Sequence, residues 1–134
     1  GAKLPKHKID GKSIVNLMKG TSAECPQEAY YFYYGKQLQA IRMGKWKLHF
    51  PHGYRTMAGK PGGKDGTPTK YSQARIGLSL FDLDKDIGET TDVKEKHPEI
   101  LGKIQKLGEA MREELGDNRR QGKGQRQPGR LAAR

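Results

Sequence analysis

The chain has 134 residues, of which 33% are hydrophobic and 31% charged, with 18 glycines and a formal net charge of +11. That is the size of one domain with a modest core and long polar loops. No run approaches the ~20 apolar residues of a membrane span, and a lone cysteine, Cys25, excludes a disulfide scaffold.

Residues 1–12 are polar and basic with no apolar core behind them, so no signal peptide is expected there. Ser13 to Met18 can form a short helix, with Ile14, Leu17 and Met18 on one face and Gly20 to stop it. Residues 1–28 read as an N-terminal connecting segment containing that helix. The aromatic run Tyr30–Tyr34 fits a pleated strand and suits a helix badly. Gly35-Lys36 supplies a turn, Leu38 to Met43 a second strand, and Gly44-Lys45 a second tight turn. In the third strand Trp46, Leu48 and Phe50 alternate with Lys45, Lys47 and His49, which predicts one buried and one wet face.

From Pro51 to Arg75 periodicity disappears among glycines and prolines, and the stretch reads as a long loop. Ile76 to Leu83 is expected as a fourth strand. His97-Pro98-Glu99 opens a helix, with Pro where its missing N–H costs nothing and Glu near the positive end of the dipole. Ile100, Ile104, Leu107, Met111 and Leu115 form its apolar stripe, and Gly116 ends it. Gly102 and Gly108 each weaken a helix interior by about 1 kcal/mol against Ala, so tertiary packing must hold this helix. The predicted fold class is α+β: an antiparallel sheet of about four strands packed against one long C-terminal helix, over residues 29–117. Residues 118–134 read as a basic disordered tail.

The charge is uneven. Residues 36–75 carry nine Lys and Arg against the single acid Asp65, whereas residues 76–117 carry six against eleven acids. Such a balance favours polyanions: nucleic acid, anionic membrane, or sulfated or phosphorylated substrates.

Few motifs carry chemistry by themselves. Asp82, Asp84 and Asp86 have calcium-loop spacing, but Ile87 and Val93 stand where that loop needs Gly and Glu, so a solvated turn is expected. Gly59 to Asp65 lacks the spacing of a phosphate loop. Cys25 has no catalytic signature around it and reads as an inert, small apolar residue. His7 and His97 read as surface or cap residues. His49 and His52 stand three apart at the mouth of the basic loop, beside Lys45, Lys47 and Arg55. They lack a third ligand for a metal, and either edge an anion pocket or serve structure. Aromatics beside basic strands also suit single-stranded nucleic acid, although alternation sends at least half of them to the core.

Three stretches, in order, resemble the C-terminal part of arylsulfatase-type sulfatases. Lys8-Ile9-Asp10-Gly11-Lys12-Ser13-Ile14, closing at Gly20, is similar to the family's R-x-I-D-G segment. Gln39 to Leu48 (QAIRMGKWKL) matches its x-A-V-R-x-G-x-W-K-L hairpin. Leu80 to Val93 (LFDLDKDIGETTDV) is like its L-Y-D-L-x-x-D-P-G-E-x-x-N-L segment, with Ile87 in place of the usual Pro, which should loosen a turn. His97-Pro98-Glu99 then begins the helix as it does in that family.

The resemblance implies a hydrolase of sulfate esters, on a sulfated glycan or aryl sulfate, that uses a formylglycine nucleophile and calcium. Both belong to the family's large N-terminal domain. Cys25-Pro26-Gln27-Glu28-Ala29 does not match the C/S-x-P/A-x-R motif, so neither catalytic nor metal residues are expected in this segment. The expected role is scaffold and wall of the substrate cleft, inactive alone. The expected partners are the N-terminal catalytic domain and a sulfated substrate, with no membrane and no nucleic acid. Lys47, His49, His52 and Arg55 are the candidate substrate contacts, by location. The family also implies a periplasmic or extracellular location. The competing reading is a small basic binding module for nucleic acid or sulfated polysaccharide.

Overall fold

A computed structural model describes residues 9–126. Its elements run in chain order as α1 (Val15–Met18), β1 (Tyr30–Tyr34), β2 (Gln37–Met43), β3 (Trp46–His49), β4 (His52–Thr56), β5 (Ser72–Ile76), β6 (Ser79–Asp82), a 3-10 turn (Lys94–Lys96), α2 (Pro98–Leu115), β7 (Gly116–Asp117) and β8 (Arg120–Gln121). Strands β1, β2, β3 and β6 make an antiparallel four-stranded sheet in that order. The fold is α+β, with this sheet and one long helix.

Two glycine turns set the meander. Gly35 and Gly44 are each the first central residue of a two-residue hairpin loop, at φ +57° and +58°. A side chain there would be strained, and the preference of the II′ hairpin turn for Gly at this position explains the choice. The register slips once, between Phe32 and Tyr33, leaving Gln39 as a bulge on β2.

The pairing sorts the side chains into two faces. Tyr31, Ile41, Leu48 and Leu80 lie side by side on one face, and Phe32, Ala40, His49 and Ser79 on the other. Leu38, Ile41, Leu48, Phe50 and Leu80 form one buried cluster with Ile104 of α2, and Ile100, Leu107 and Met111 pack around it. Four of the five predicted stripe residues of α2 thus meet the cluster, while Leu115 at the helix end is 40% exposed.

The end of α2 is tied back to the β1–β2 hairpin. Asp117 accepts a hydrogen bond from Leu38 N–H at 3.2 Å beside the bulge and one from Arg112 Nε at 2.7 Å. The Tyr33 hydroxyl donates to Gly116 O at 2.9 Å. Beyond the predicted domain end at 117 the chain keeps structure. Strands β7 and β8 pair, and Lys123 and Gly124 N–H donate to the Glu113 and Glu114 carbonyls. The expected disordered tail therefore begins with nine folded residues, 118–126, and the remainder lies outside the described residues.

Two further expectations are corrected. Pro51 to Arg75 is a loop only in its middle: β4 and β5 pair antiparallel into a ribbon whose tip is the connection 57–71. The sequence hides this because β4, His-Gly-Tyr-Arg-Thr, has no apolar alternation. The expected fourth strand from Ile76 is also two strands, β5 and β6, broken at Gly77-Leu78, so that one belongs to the ribbon and the other to the main sheet.

Candidate functional site

The second face of the sheet was expected to be wet, yet its centre is covered. Ala40 and Phe81 are 3% and 4% exposed. The cover is the segment after β6, where Glu89, held at φ +55°, reaches back to the sheet. Its carboxylate takes Lys47 Nζ at 2.6 Å and His49 Nε2 at 2.5 Å. The side chains of Lys47, His49 and Glu89 retain only 17%, 14% and 25% of their exposure. Lys47 Nζ also lies 5.1 Å from the centre of the Phe32 ring, a cation–π contact.

Burial pushes the pKa of His49 below the ordinary value; Glu89 works in the opposite sense, and the charge of Lys47 and the neighbouring His52 add to the lowering. Hydrogen bonding agrees with that direction. With Nε2–H assigned as donor to Glu89, buried Nδ1 has no partner among the described residues. A bare lone pair there costs less than a buried N–H with no acceptor. Glu89 keeps its proton off below the ordinary carboxylate range: burial opposes this, and the hydrogen bonds and charge of Lys47, then those of His49, outweigh it.

His52 opens β4 at 8% exposure, hydrogen-bonded through Nδ1 to Phe50 O at 2.7 Å. Its ring stacks on that of His49, with centroids 5.4 Å apart and planes 19° apart, and the Phe81 ring meets His49 edge-on at 5.7 Å. Three of the four predicted contacts, Lys47, His49 and His52, are therefore brought together, at the root of the ribbon and largely internal. Arg55 is separated from them. It is exposed, on the opposite face of β4 from His52, because strand positions three apart point opposite ways.

The organising residues that sequence reasoning missed are acids. Glu89 joins Lys47 to His49; the only sequence signal for it was its place in the D-x-G-E stretch. Asp82 takes Lys45 Nζ at 2.9 Å, and Asp92 accepts from Leu80 N–H at 3.0 Å. Asp86 accepts from Thr90 and Thr91 N–H, both at 2.7 Å, so the turn stays closed with Ile87 in place of proline and 82% exposed. Of the aspartates with the calcium-like spacing, Asp82 and Asp86 are turn-forming acceptors, and Asp84 is exposed, its N–H donating to Asp82. No group of three or more His, Cys, Asp or Glu among the described residues could hold a metal, and no metal chemistry is assigned to them. Cys25 is exposed, not a core filler. His97 sits at the N-terminal cap position of α2 with its ring centre 4.5 Å from that of Trp46 and tilted 53° to it, while His7 lies outside the described residues.

The solvent side of β1 is aromatic. Tyr30, Phe32 and Tyr34 alternate outward at 66%, 37% and 71% exposure, with Tyr30 and Phe32 in edge contact at 4.8 Å. Among the described residues no helix is long and apolar enough to cross a membrane.

Sequence comparison relates the chain to known proteins. Residues 25–130 match the family model described as the C-terminal region of aryl-sulfatase. The chain is also 28% identical over 129 residues to mouse steryl-sulfatase, an alignment covering 86% of this chain and 21% of that protein. The chain therefore spans about a fifth of the length of the curated relative that it matches. With most of its length covered by the family model, the chain belongs to the aryl-sulfatase C-terminal region family.

Proposed function

We propose that this chain is the non-catalytic C-terminal part of an enzyme that hydrolyses sulfate esters, serving as scaffold and as one wall of the substrate cleft. The observation that carries the reading is the exposed aromatic strip Tyr30, Phe32 and Tyr34 on a sheet whose family is a C-terminal region. Exposed aromatics in a row cost solvation unless a partner covers them. The proposed partner is the catalytic region of the same enzyme, which would bring the formylglycine and the calcium. The proposed substrate class is a sulfated glycan or aryl sulfate, and the proposed location is periplasmic or extracellular.

Within that reading the four candidate contacts divide. Arg55 is exposed and meets the anionic substrate directly. Lys47, His49 and His52 hold the covering segment and the root of the ribbon in place, the two charges of Lys47 and Glu89 being already matched to each other. The competing reading, a small basic binding module for nucleic acid or sulfated polysaccharide, draws on the same exposed aromatics and on the net charge of +11. It predicts retention of single-stranded DNA at physiological salt with a steep salt dependence.

The test is turnover of a chromogenic aryl sulfate. The pure chain is expected to show none, because Cys25-Pro26-Gln27-Glu28-Ala29 does not carry the nucleophile motif. Hydrolysis by the pure chain would overturn the reading.

A further inference from the structure

The β4–β5 ribbon has one face turned away from the His49–His52 stack. The register sets Gly53 opposite Arg75 and Arg55 opposite Gln73. All four are exposed, whereas His52, Thr56, Ser72, Ala74 and Ile76, on the other face, are buried or half-buried. Tyr54 shares that other face and is 43% exposed. Arg55 and Arg75 are diagonal cross-strand neighbours, a pairing with about 7–8 Å between backbones. Gly53 places no side chain against Arg75, which leaves its guanidinium free to lie across the ribbon.

The cations on this face are uncommitted. Among the described residues no carboxylate forms an ion pair with Arg55 or Arg75. By contrast, Arg112 is paired with Glu109 and Asp117, and Arg120 with Glu109 and Glu113. The connection at the ribbon tip adds Lys60, Lys64 and Lys70 against the one acid Asp65. Like charges held side by side repel one another, and an arrangement that keeps them together without counter-charges favours an anion from outside. Guanidinium forks suit oxyanions with two oxygens to offer.

We infer that the Arg55–Gln73–Arg75 face of the ribbon is a binding surface for the sulfate groups of a polymeric sulfated glycan. This deepens the reading under Proposed function and rests on it for the choice of sulfate over other anions. The strand positions of the face, Gly53, Arg55, Gln73 and Arg75, carry no aromatic ring. Tyr71, exposed and in step with Gln73 and Arg75, stands before β5 at the tip-side end. A single base could stack there but a run of bases could not, whereas a sulfated chain needs no stacking. The arginines hold successive sulfates, Gln73 between them donates to ring or sulfate oxygens, and the lysines of the tip extend the track.

The experiment is binding of the full chain to a heparin-derived octasaccharide across a sodium chloride series. A size-matched desulfated octasaccharide and a dT oligonucleotide are run in parallel. Arg55→Gln/Arg75→Gln is compared with Arg119→Gln/Lys123→Gln, which removes the same charge from exposed positions elsewhere. The expected result is at least a tenfold weaker affinity for the first pair, with the log–log salt slope lower by about 2, and less than a threefold change for the second. Arg55→Lys/Arg75→Lys should keep the slope and lose part of the affinity, which separates folding from recognition. Equal losses for both Gln pairs, or tighter binding of the oligonucleotide than of the sulfated sugar, would overturn the inference. Aryl sulfate turnover by the assembled enzyme is read separately. Loss of glycan binding without any sulfatase activity sinks the enzyme reading alone, and activity with unaltered glycan binding in the variant sinks the ribbon surface alone.

Discussion

Gly108 of α2 lies directly against the Phe50 ring: a Cβ on that glycine would stand 2.7 Å from Phe50 Cζ and 3.4 Å from Ile41 Cδ1. The helix gives up propensity at this position so that it can approach the sheet. The guanidinium of Arg112, one turn on, covers the same ring at 4.1 Å. Gly108→Ala is therefore expected to destabilise the fold by about 1–3 kcal/mol through overpacking, despite the better helix former. Gly102 provides the contrast, since a Cβ there meets nothing within 4 Å. Gly102→Ala should stabilise by about 0.5–1 kcal/mol. Urea denaturation of the two variants checks both signs.

The Lys47–Glu89–His49 group predicts loss of stability on acidification. The folded state holds His49 below its ordinary value of 6.5, so the unfolded chain takes up a proton first. Stability then falls as pH drops from 6.5 toward the lower folded value. Glu89 is also lowered, from an ordinary 4.5, and its contribution is lost in a second window as pH falls below that value. Both shifts act in the same direction, and neither weakens the fold above neutrality. Thermal melts between pH 8 and pH 3 should show two successive declines. A melting temperature that rises on going from pH 7 to pH 5 would contradict a lowered His49 pKa.

Glu89→Gln leaves Lys47 without its counter-charge in a half-buried position. A cost of about 1–3 kcal/mol is expected, below that of a fully buried pair because solvent still reaches both groups. Asp117→Ala should cost a similar amount, about 1–3 kcal/mol, by leaving Leu38 N–H and Arg112 without their acceptor. Hydrogen exchange distinguishes them. The first variant should lose protection in the segment after β6, and the second at the start of β2.

Much of this architecture was legible in the residues because it is written in local periodicity. Trp46, Leu48 and Phe50 alternate, Gly35 and Gly44 mark two-residue turns, and α2 shows its stripe, its proline start and its glycine stop. The ribbon was not legible. His52–Thr56 contains no apolar alternation, and its pairing with Ser72–Ile76 is a contact across 15 intervening residues that no local pattern encodes. The candidate site was half legible for the same reason. Parity along β3 and proximity at β4 grouped Lys47, His49 and His52, but the covering Glu89 comes from forty residues away in sequence. Without it, burial of His49 could not be read, and the separation of Arg55 follows only once β4 is seen as a strand. The tail from Asn118 looked disordered by composition, yet its first residues are held by Glu113, Glu114 and Leu115 carbonyls of the helix.

The central claim is that this sheet and helix are the companion of a catalytic region, and the most direct measurement is titration of the pure chain into that region, reading aryl sulfate hydrolysis together with deuterium uptake at residues 30–34. The account predicts no turnover by the chain alone, turnover that rises with added chain to saturation, and protection of Tyr30, Phe32 and Tyr34 in the complex. Turnover that ignores the added chain, with the aromatic strip as open to exchange in the mixture as in the pure chain, would contradict it.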